Sequence, residues 1–106
     1  MTIKNAGEGK EFNEGRLIKT ELFQEGKTTA LVLNFLPGQI LPPHPHPDSN
    51  VYIYVIEGKG ICKIDDKENP ISEKDVIHAA DKQHVSIENT GDATLSIYIV
   101  QAHESL

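Results

Sequence analysis

Histidines are the residues of this chain best suited to metal chemistry, and there are five of them. His44 and His46 each precede a proline within residues 42–47. A residue before proline is driven out of the helical region, so both histidines should have extended backbones. On a β-strand, residues two apart share a face with Cα atoms about 7 Å apart, so the two imidazoles could converge on one ion. In a polyproline II helix or a solvated loop they would point differently, and their spacing leaves these readings open.

A third histidine, His84, opens a predicted strand directly after the loop 79–83. From that position a side chain could reach the mouth of a barrel and complete a metal site, but it could also be a hydrogen-bonded structural residue. Imidazole ligands suit Zn, Cu, Fe and Ni without selecting one of them. Of the other two histidines, His78 is expected to finish a strand and His103 to be exposed near the tail.

The elements that would position these histidines are predicted to be strands. Runs of β-branched and large apolar residues alternate with turn signals such as Pro37-Gly38. About eight short strands at close spacing are typical of a sandwich or barrel, so the predicted fold class is all-β. The clearest predicted strands are residues 17–23, 28–36, 51–57, 61–64, 75–78, 84–89 and 94–101.

One stretch of the chain is ambiguous. Ser72 and Asp75 have the spacing of a helix capping box, and Val76, Ile77 and Ala80 follow at helical intervals. By local pattern alone, a helix after Ser72 competes with two short strands separated by a loop.

Several predicted strands are apolar on both faces. In residues 51–56 one face carries Val51 and Ile53, and the other carries Tyr52 and Tyr54. An antiparallel sheet with one solvated face should alternate apolar and polar residues. We therefore expect a homodimer that packs sheet to sheet, with a closed sandwich whose own sheets cover each other as the alternative.

Length and composition restrict the function. The 106 residues suffice for one domain, expected over residues 16–106 after a polar lead-in at 1–15. A formal net charge of −6 and a single arginine, Arg16, argue against nucleic acid and against phosphorylated substrates. No apolar run is long enough for a membrane span. The lone cysteine, Cys62, excludes an internal disulfide and is read as a core residue in a reduced, cytoplasmic protein.

The histidine-proline segment resembles the first motif of the cupins, small jelly-roll β-barrels also called double-stranded β-helices. That motif runs G-x5-H-x-H, and here Gly38 is followed at the same spacing by His44 and His46. The segment 58–60 is similar to the glycine turn that follows the motif. The second cupin motif ends in H-x3-N, and here His84 and Asn89 come in the right order. The resemblance covers about residues 31–100 and implies strand, loop, strand at the ambiguous segment.

The departures from the cupin motifs fall on specific positions. The glutamate of the first motif falls on Asn50 or Val51, depending on the end from which it is counted, and neither is a carboxylate. The second motif lacks its first glycine and its proline, and Asn89 comes one residue late. The resemblance therefore implies His44, His46 and His84 as ligands of one divalent transition metal, with no glutamate and with Fe, Ni, Zn, Mn and Cu all open.

Three functions remain open. A site of three histidines could act on, or bind, a small anionic or oxygenated molecule, as in a non-haem dioxygenase. Val51, Ile53 and Asn50 are candidates for its pocket wall. The second function is a non-catalytic module that binds or senses a small ligand. The third is a sugar isomerase or epimerase, against which the single arginine and the lack of a placed base count. The fold alone does not decide between them.

Overall fold

Strands dominate the part of the chain that the computed structural model describes, which comprises residues 1–45 and 48–103, with only the backbone described for His44. A short 3-10 helix, Ala6–Gly9, precedes them. The strands are β1 Ile18–Glu25, β2 Thr28–Phe35, β3 Ile40–Pro45, β4 Ser49–Glu57, β5 Lys59–Ile64, β6 Lys67–Ser72, β7 Val76–Ala79, β8 His84–Glu88 and β9 Leu95–His103. The predicted all-β class is confirmed. No helix in the described ranges is long and apolar enough to cross a bilayer.

Two antiparallel sheets face each other. The five-stranded sheet has the order β1-β2-β9-β4-β7, and the four-stranded sheet has the order β3-β8-β5-β6. The pairs β2·β9, β3·β8, β4·β7 and β5·β6 are nested, as in one long hairpin folded over on itself. This arrangement is a jelly roll, the fold that the resemblance implied.

The core lies between the sheets and follows the period of two that strands impose. Along β4, Val51, Ile53 and Val55 are buried, whereas Tyr52 and Tyr54 are exposed on the opposite face. The same alternation in the facing sheet contributes Val85, Ile87 and Cys62, among other residues, to one hydrophobic cluster. The inner faces are thus covered by the molecule's own second sheet.

The ambiguous stretch after Ser72 is a turn followed by a strand. The backbone N–H of Ser72 donates to the Asp75 carboxylate at 2.8 Å, so the capping-box residues close a tight turn. Lys74 has φ 75°, a left-handed conformation that a right-handed helix cannot include. Residues from Val76 onward then pair with β4, with Val76 opposite Tyr54.

Two strands lay outside the clearly predicted set, and both are edge strands that contain proline. β3 carries Pro42 and Pro43, and its register with β8 shifts between Leu41 and His44. β6 carries Pro70 at the other edge of the same sheet. Proline cannot donate to a ladder and is tolerated at edges and bulges, which is why it masked these strands in the sequence.

The polar lead-in covers one end of the outer face of the five-stranded sheet. The Lys4 ammonium donates to the Leu22 carbonyl at 2.6 Å, and Lys10 lies 3.1 Å from the Glu57 carboxylate. Beneath this segment Val32 and Asn34 of β2 are each 1% exposed. Residues 1–15 therefore contribute cover to the sandwich, which composition did not indicate.

Candidate functional site

Strand β8 decides where His84 points. Val85 and Ile87 are 2% and 0% exposed and belong to the core. His84 and Glu88 alternate with them and are exposed, so they lie on the solvent face of the four-stranded sheet. Ser86 lines a groove on that same face together with His84 and Glu88. The imidazole of His84 therefore faces away from the interior of the sandwich.

Asp65, in the turn between β5 and β6, is the described partner of His84. The backbone N–H of His84 donates to Asp65 Oδ1 at 2.8 Å, and its carbonyl accepts from the Asp65 N–H at 2.9 Å. The imidazole Nδ1 lies 3.8 Å from the same carboxylate oxygen. These contacts hold the β5–β6 turn against the start of β8. They are compatible with the alternative given above for His84, a hydrogen-bonded structural residue.

The first of the predicted ligands, His44, lies near the end of β3. His44 has the expected extended backbone and pairs with Val85, while Pro45 pairs with His84. His46 lies outside the described residues. In the register of the sheet, His44 is thus opposite a core residue of β8, and His84 is one position away on the other face.

The orientation of His84 counts against an interior centre that it would share with His44 and His46, whose side chains lie outside the described part of the chain. Opposite His44 the inner position of β8 is Val85, whose cross-strand partner on β5 is Ile64. Burial raises the pKa of the Cys62 thiol to about 11, so without a metal the thiol is protonated at neutral pH. Among the described side chains, which include neither His44 nor His46, no three His, Cys, Asp or Glu groups gather around a common point. The three-histidine centre remains a prediction, with the orientation of His84 against it.

The predicted pocket residues divide between the two faces of β4. Val51 and Ile53 face the interior, at 3% and 1% exposure, as packed core residues. Asn50 alternates with them and contacts His78 instead, with Oδ1 to Nε2 at 2.8 Å. The His78 ring stacks on Tyr52 with centroids 5.0 Å apart. Asn50 is therefore part of the outer face and does not line the same wall as Val51.

A polar group on the inner face was missed by the sequence analysis. Ser49 is 2% exposed and pairs with His103, while Gln101 pairs with Val51. The Gln101 amide donates to the Ser49 hydroxyl at 3.5 Å. His103 is half-buried, and not fully exposed as expected, because it is the last residue of β9. We call Ser49, Gln101 and His103 the inner polar end; a period-two count back from Val51 and along β9 would have found it.

Asn89, the asparagine of the second motif, has a structural role. Its side chain is 1% exposed and donates to the carbonyls of Phe35 at 3.1 Å and Ala93 at 2.9 Å. Its Oδ1 accepts from the Gly91 N–H at 3.0 Å. Asn89 thus joins the end of β2 to the loop before β9. Counting the motif's H-x3-N back from Asn89 gives Val85, so the histidine position of the motif is filled by a core valine.

Comparison with known proteins identifies the family. A cupin domain model matches residues 31–101, and the chain belongs to the cupin family. No curated protein sequence matches the chain. Among solved structures, TT1209 from Thermus thermophilus has a TM-score of 0.91 and 21% identity, with coverage of 99% of this chain and 100% of that one.

Two further solved structures represent different kinds of cupin. A predicted oxalate decarboxylase from Thermotoga maritima has a TM-score of 0.69 and 18% identity, with coverage of 89% of this chain and 99% of that chain. The cupin domain of an XRE family transcriptional regulator from Enterobacter cloacae has a TM-score of 0.78 and 16% identity, with coverage of 84% and 98%. At these identities the likeness shows the shared fold.

Proposed function

We propose that this cupin is a non-catalytic binding or sensing module for a small oxygenated molecule, held at the inner polar end. One observation favours a binding module over a three-histidine dioxygenase. Strand β8 places Val85 in the interior and His84 on the outside. An interior metal set that depends on His84 therefore has less support than a site that does not use it.

The inner polar end has the chemistry of a hydrogen-bonding site. Its side chains are a hydroxyl, an amide and an imidazole, which together offer both hydrogen-bond donors and acceptors. They interrupt a wall that is otherwise apolar, with Val51 and Ala79 buried beside them. A polar patch in an otherwise apolar wall suits a small ligand with hydroxyl or carbonyl oxygens.

The other two functions have less support. An isomerase or epimerase needs a placed acid and base, and the inner polar end holds only one titratable side chain, that of His103. The likeness to a regulator's cupin domain is compatible with a sensing role. A metalloenzyme remains the outcome that the following experiment is designed to detect.

A thermal-shift screen of hydroxy acids and enolisable diketones tests the proposal. A ligand that binds only the folded chain raises the melting temperature with concentration. We expect Gln101→Ala to abolish this shift, and Gln24→Ala, on an exposed position of β1, to leave it unchanged. The melting temperature of each variant without ligand shows whether the variant itself folds.

Oxygen-consumption assays on every compound that binds complete the test. We expect no consumption with or without added Fe, Ni, Zn or Mn. Turnover of a bound compound would contradict a non-catalytic role. Ligand shifts that survive Gln101→Ala would place the site elsewhere.

We also propose that the chain forms a homodimer through the outer face of the five-stranded sheet. Tyr52, Tyr54 and Val76 are 45%, 39% and 73% exposed there, beside half-buried Tyr98 and Val100. Glu57, at the end of β4, is paired with Lys10, and the other outward positions of β4, β7 and β9 carry no Asp, Glu, Lys or Arg, although the chain has a net charge of −6. A largely apolar face whose one carboxylate is paired, on an acidic chain, suits contact with a second copy, because two such faces meet without strong like-charge repulsion.

Sedimentation at micromolar concentration tests the dimer. Wild type should sediment as a dimer and Tyr54→Glu as a monomer, because the variant places two carboxylates in the contact. Ile40→Glu is the matched control, since Ile40 is an exposed apolar residue of the other sheet. A monomeric wild type would refute the proposal.

A further inference from the structure

The solvent face of the four-stranded sheet carries a groove of about 400 Å³. We call it the outer groove. Outward residues of β8 and β5 line it, including His84, Ser86, Glu88, Ile61 and Lys63. It lies on the opposite side of the sheet from the core residues Val85 and Ile87, so it is separate from the space between the sheets. A volume of this order accommodates a small organic molecule.

Ser86 is the residue that points to a ligand. It is only 7% exposed, yet it lines the groove between His84 and Glu88. Within the described ranges its hydroxyl has no hydrogen-bond partner. A buried hydroxyl without a partner is costly, and native proteins keep few of them. An oxygen or nitrogen of a ligand in the groove would supply the missing partner.

The β-bulge of β3 lies opposite Ser86. The ladder between β3 and β8 has pairs at Leu41 and at His44, and the two residues between them are Pro42 and Pro43. Pro43 lines the groove beside Ser86. Neither proline has a backbone N–H, so this side of the groove offers Ser86 no backbone donor.

The outer groove has an excess of negative charge, which favours a cationic ligand. Its lining contains the carboxylates of Asp66, Glu68 and Glu88 against one ammonium, that of Lys63. Lys63 lies 3.8 Å from Glu68, which leaves Glu88 without an ion pair in the described part of the chain. Ile61 adds an apolar surface. A cationic group near Glu88, an oxygen near Ser86 and a carbon skeleton against Ile61 would complement these three features.

We propose that the outer groove binds a small hydroxylated amine in its protonated form, of about monosaccharide size. The ammonium pairs with Glu88, and a hydroxyl of the same molecule bonds to Ser86. Ser86 and Glu88 lie two residues apart on one strand, about 7 Å, so a ring of monosaccharide size with an amine and a hydroxyl on opposite sides can reach both side chains. This site is independent of the inner polar end, and either can fail without the other.

Titration of the ¹⁵N-labelled 106-residue chain with glucosamine tests the proposal, with glucose as the uncharged control. We expect saturable amide shifts in β8 and β5 with glucosamine, and at least about tenfold weaker binding with glucose, because an ionic hydrogen bond is lost. Glu88→Gln should weaken glucosamine binding by a similar factor. Glu25→Gln, at the end of β1 in the other sheet, should not change it.

Ser86→Ala adds a readout that needs no ligand. If the hydroxyl has no partner in the free protein, the variant melts at or above the wild-type temperature and binds glucosamine about threefold to tenfold more weakly. A lower melting temperature would mean that the fold itself uses the hydroxyl, and it would overturn the proposal. Absence of saturable shifts with glucosamine, or equal shifts with glucose, would also overturn it.

Discussion

Truncating each of two adjacent residues in turn tests the orientation of β8 most sharply. Val85→Ala removes two buried carbon atoms from a side chain that is 2% exposed. The lost transfer free energy is about 1.6 kcal/mol, and the remaining cavity raises the total to roughly 2 to 3 kcal/mol. His84→Ala removes a side chain that is 56% exposed and lies 3.8 Å from Asp65. Because an exposed ion pair contributes little, we expect a loss of no more than about 1 kcal/mol.

Urea denaturation followed by circular dichroism, at pH 7 and equal protein concentration, measures both losses. For a domain of this size the Val85→Ala loss corresponds to a fall in melting temperature of roughly 10 to 20 °C. The denaturant slope should be the same in both variants, which shows that the midpoints report stability. If His84→Ala destabilised the protein as much as Val85→Ala, the imidazole would have to be buried, and the outward orientation of His84 would be wrong.

Three further predictions concern the residues that hold the sandwich together. Burial raises the pKa of the Cys62 thiol from 9.0 to about 11, so the folded state favours the protonated thiol. This contribution to the free energy of unfolding is complete below pH 9, and up to about 2 to 3 kcal/mol of it is lost as the pH rises to 11. Cys62→Ala should lack that part of the pH dependence of the unfolding free energy. Asn89→Ala should cost about 2 to 4 kcal/mol in urea denaturation, since three hydrogen bonds of a buried side chain are lost, and a loss under 1 kcal/mol would contradict its structural role. Gly58→Ala should lower the free energy of unfolding by at least about 2 kcal/mol, because the φ of Gly58 is +91° and a Cβ there would clash with the Thr94 carbonyl oxygen. Gly26→Ala, at φ +58° with open space around it, should lower it by less in the same assay.

The fold was predictable where side-chain periodicity and topology agree. The alternation in β4 identified Val51 and Ile53 as one face and Tyr52 and Tyr54 as the other, and the structure confirms it. The cupin resemblance resolved the ambiguous stretch after Ser72 correctly, because pairing with β4 outweighs a local capping pattern.

The site was harder to predict because the side chains of successive strand residues point to opposite faces of the sheet. A shift of one position moves a side chain from the interior to solvent, so the one-residue displacement of Asn89 relative to the motif was sufficient to exchange His84 and Val85. Similarity of composition does not reveal such a shift, whereas counting back from Asn89 does. The outer groove has no local signal in the sequence, since Lys63 and Glu88 come from separate strands that only the sheet brings together.

Metal uptake by the His84→Ala variant tests the central claim most directly. Tag-free wild type and variant are reconstituted in parallel with Fe, Ni, Zn or Mn, and bound metal per chain is measured by mass spectrometry. Since the His84 side chain lies on the solvent face, we predict equal metal content in the two proteins for every ion. Stoichiometric uptake by wild type together with its loss in His84→Ala would contradict the account and restore a three-histidine centre.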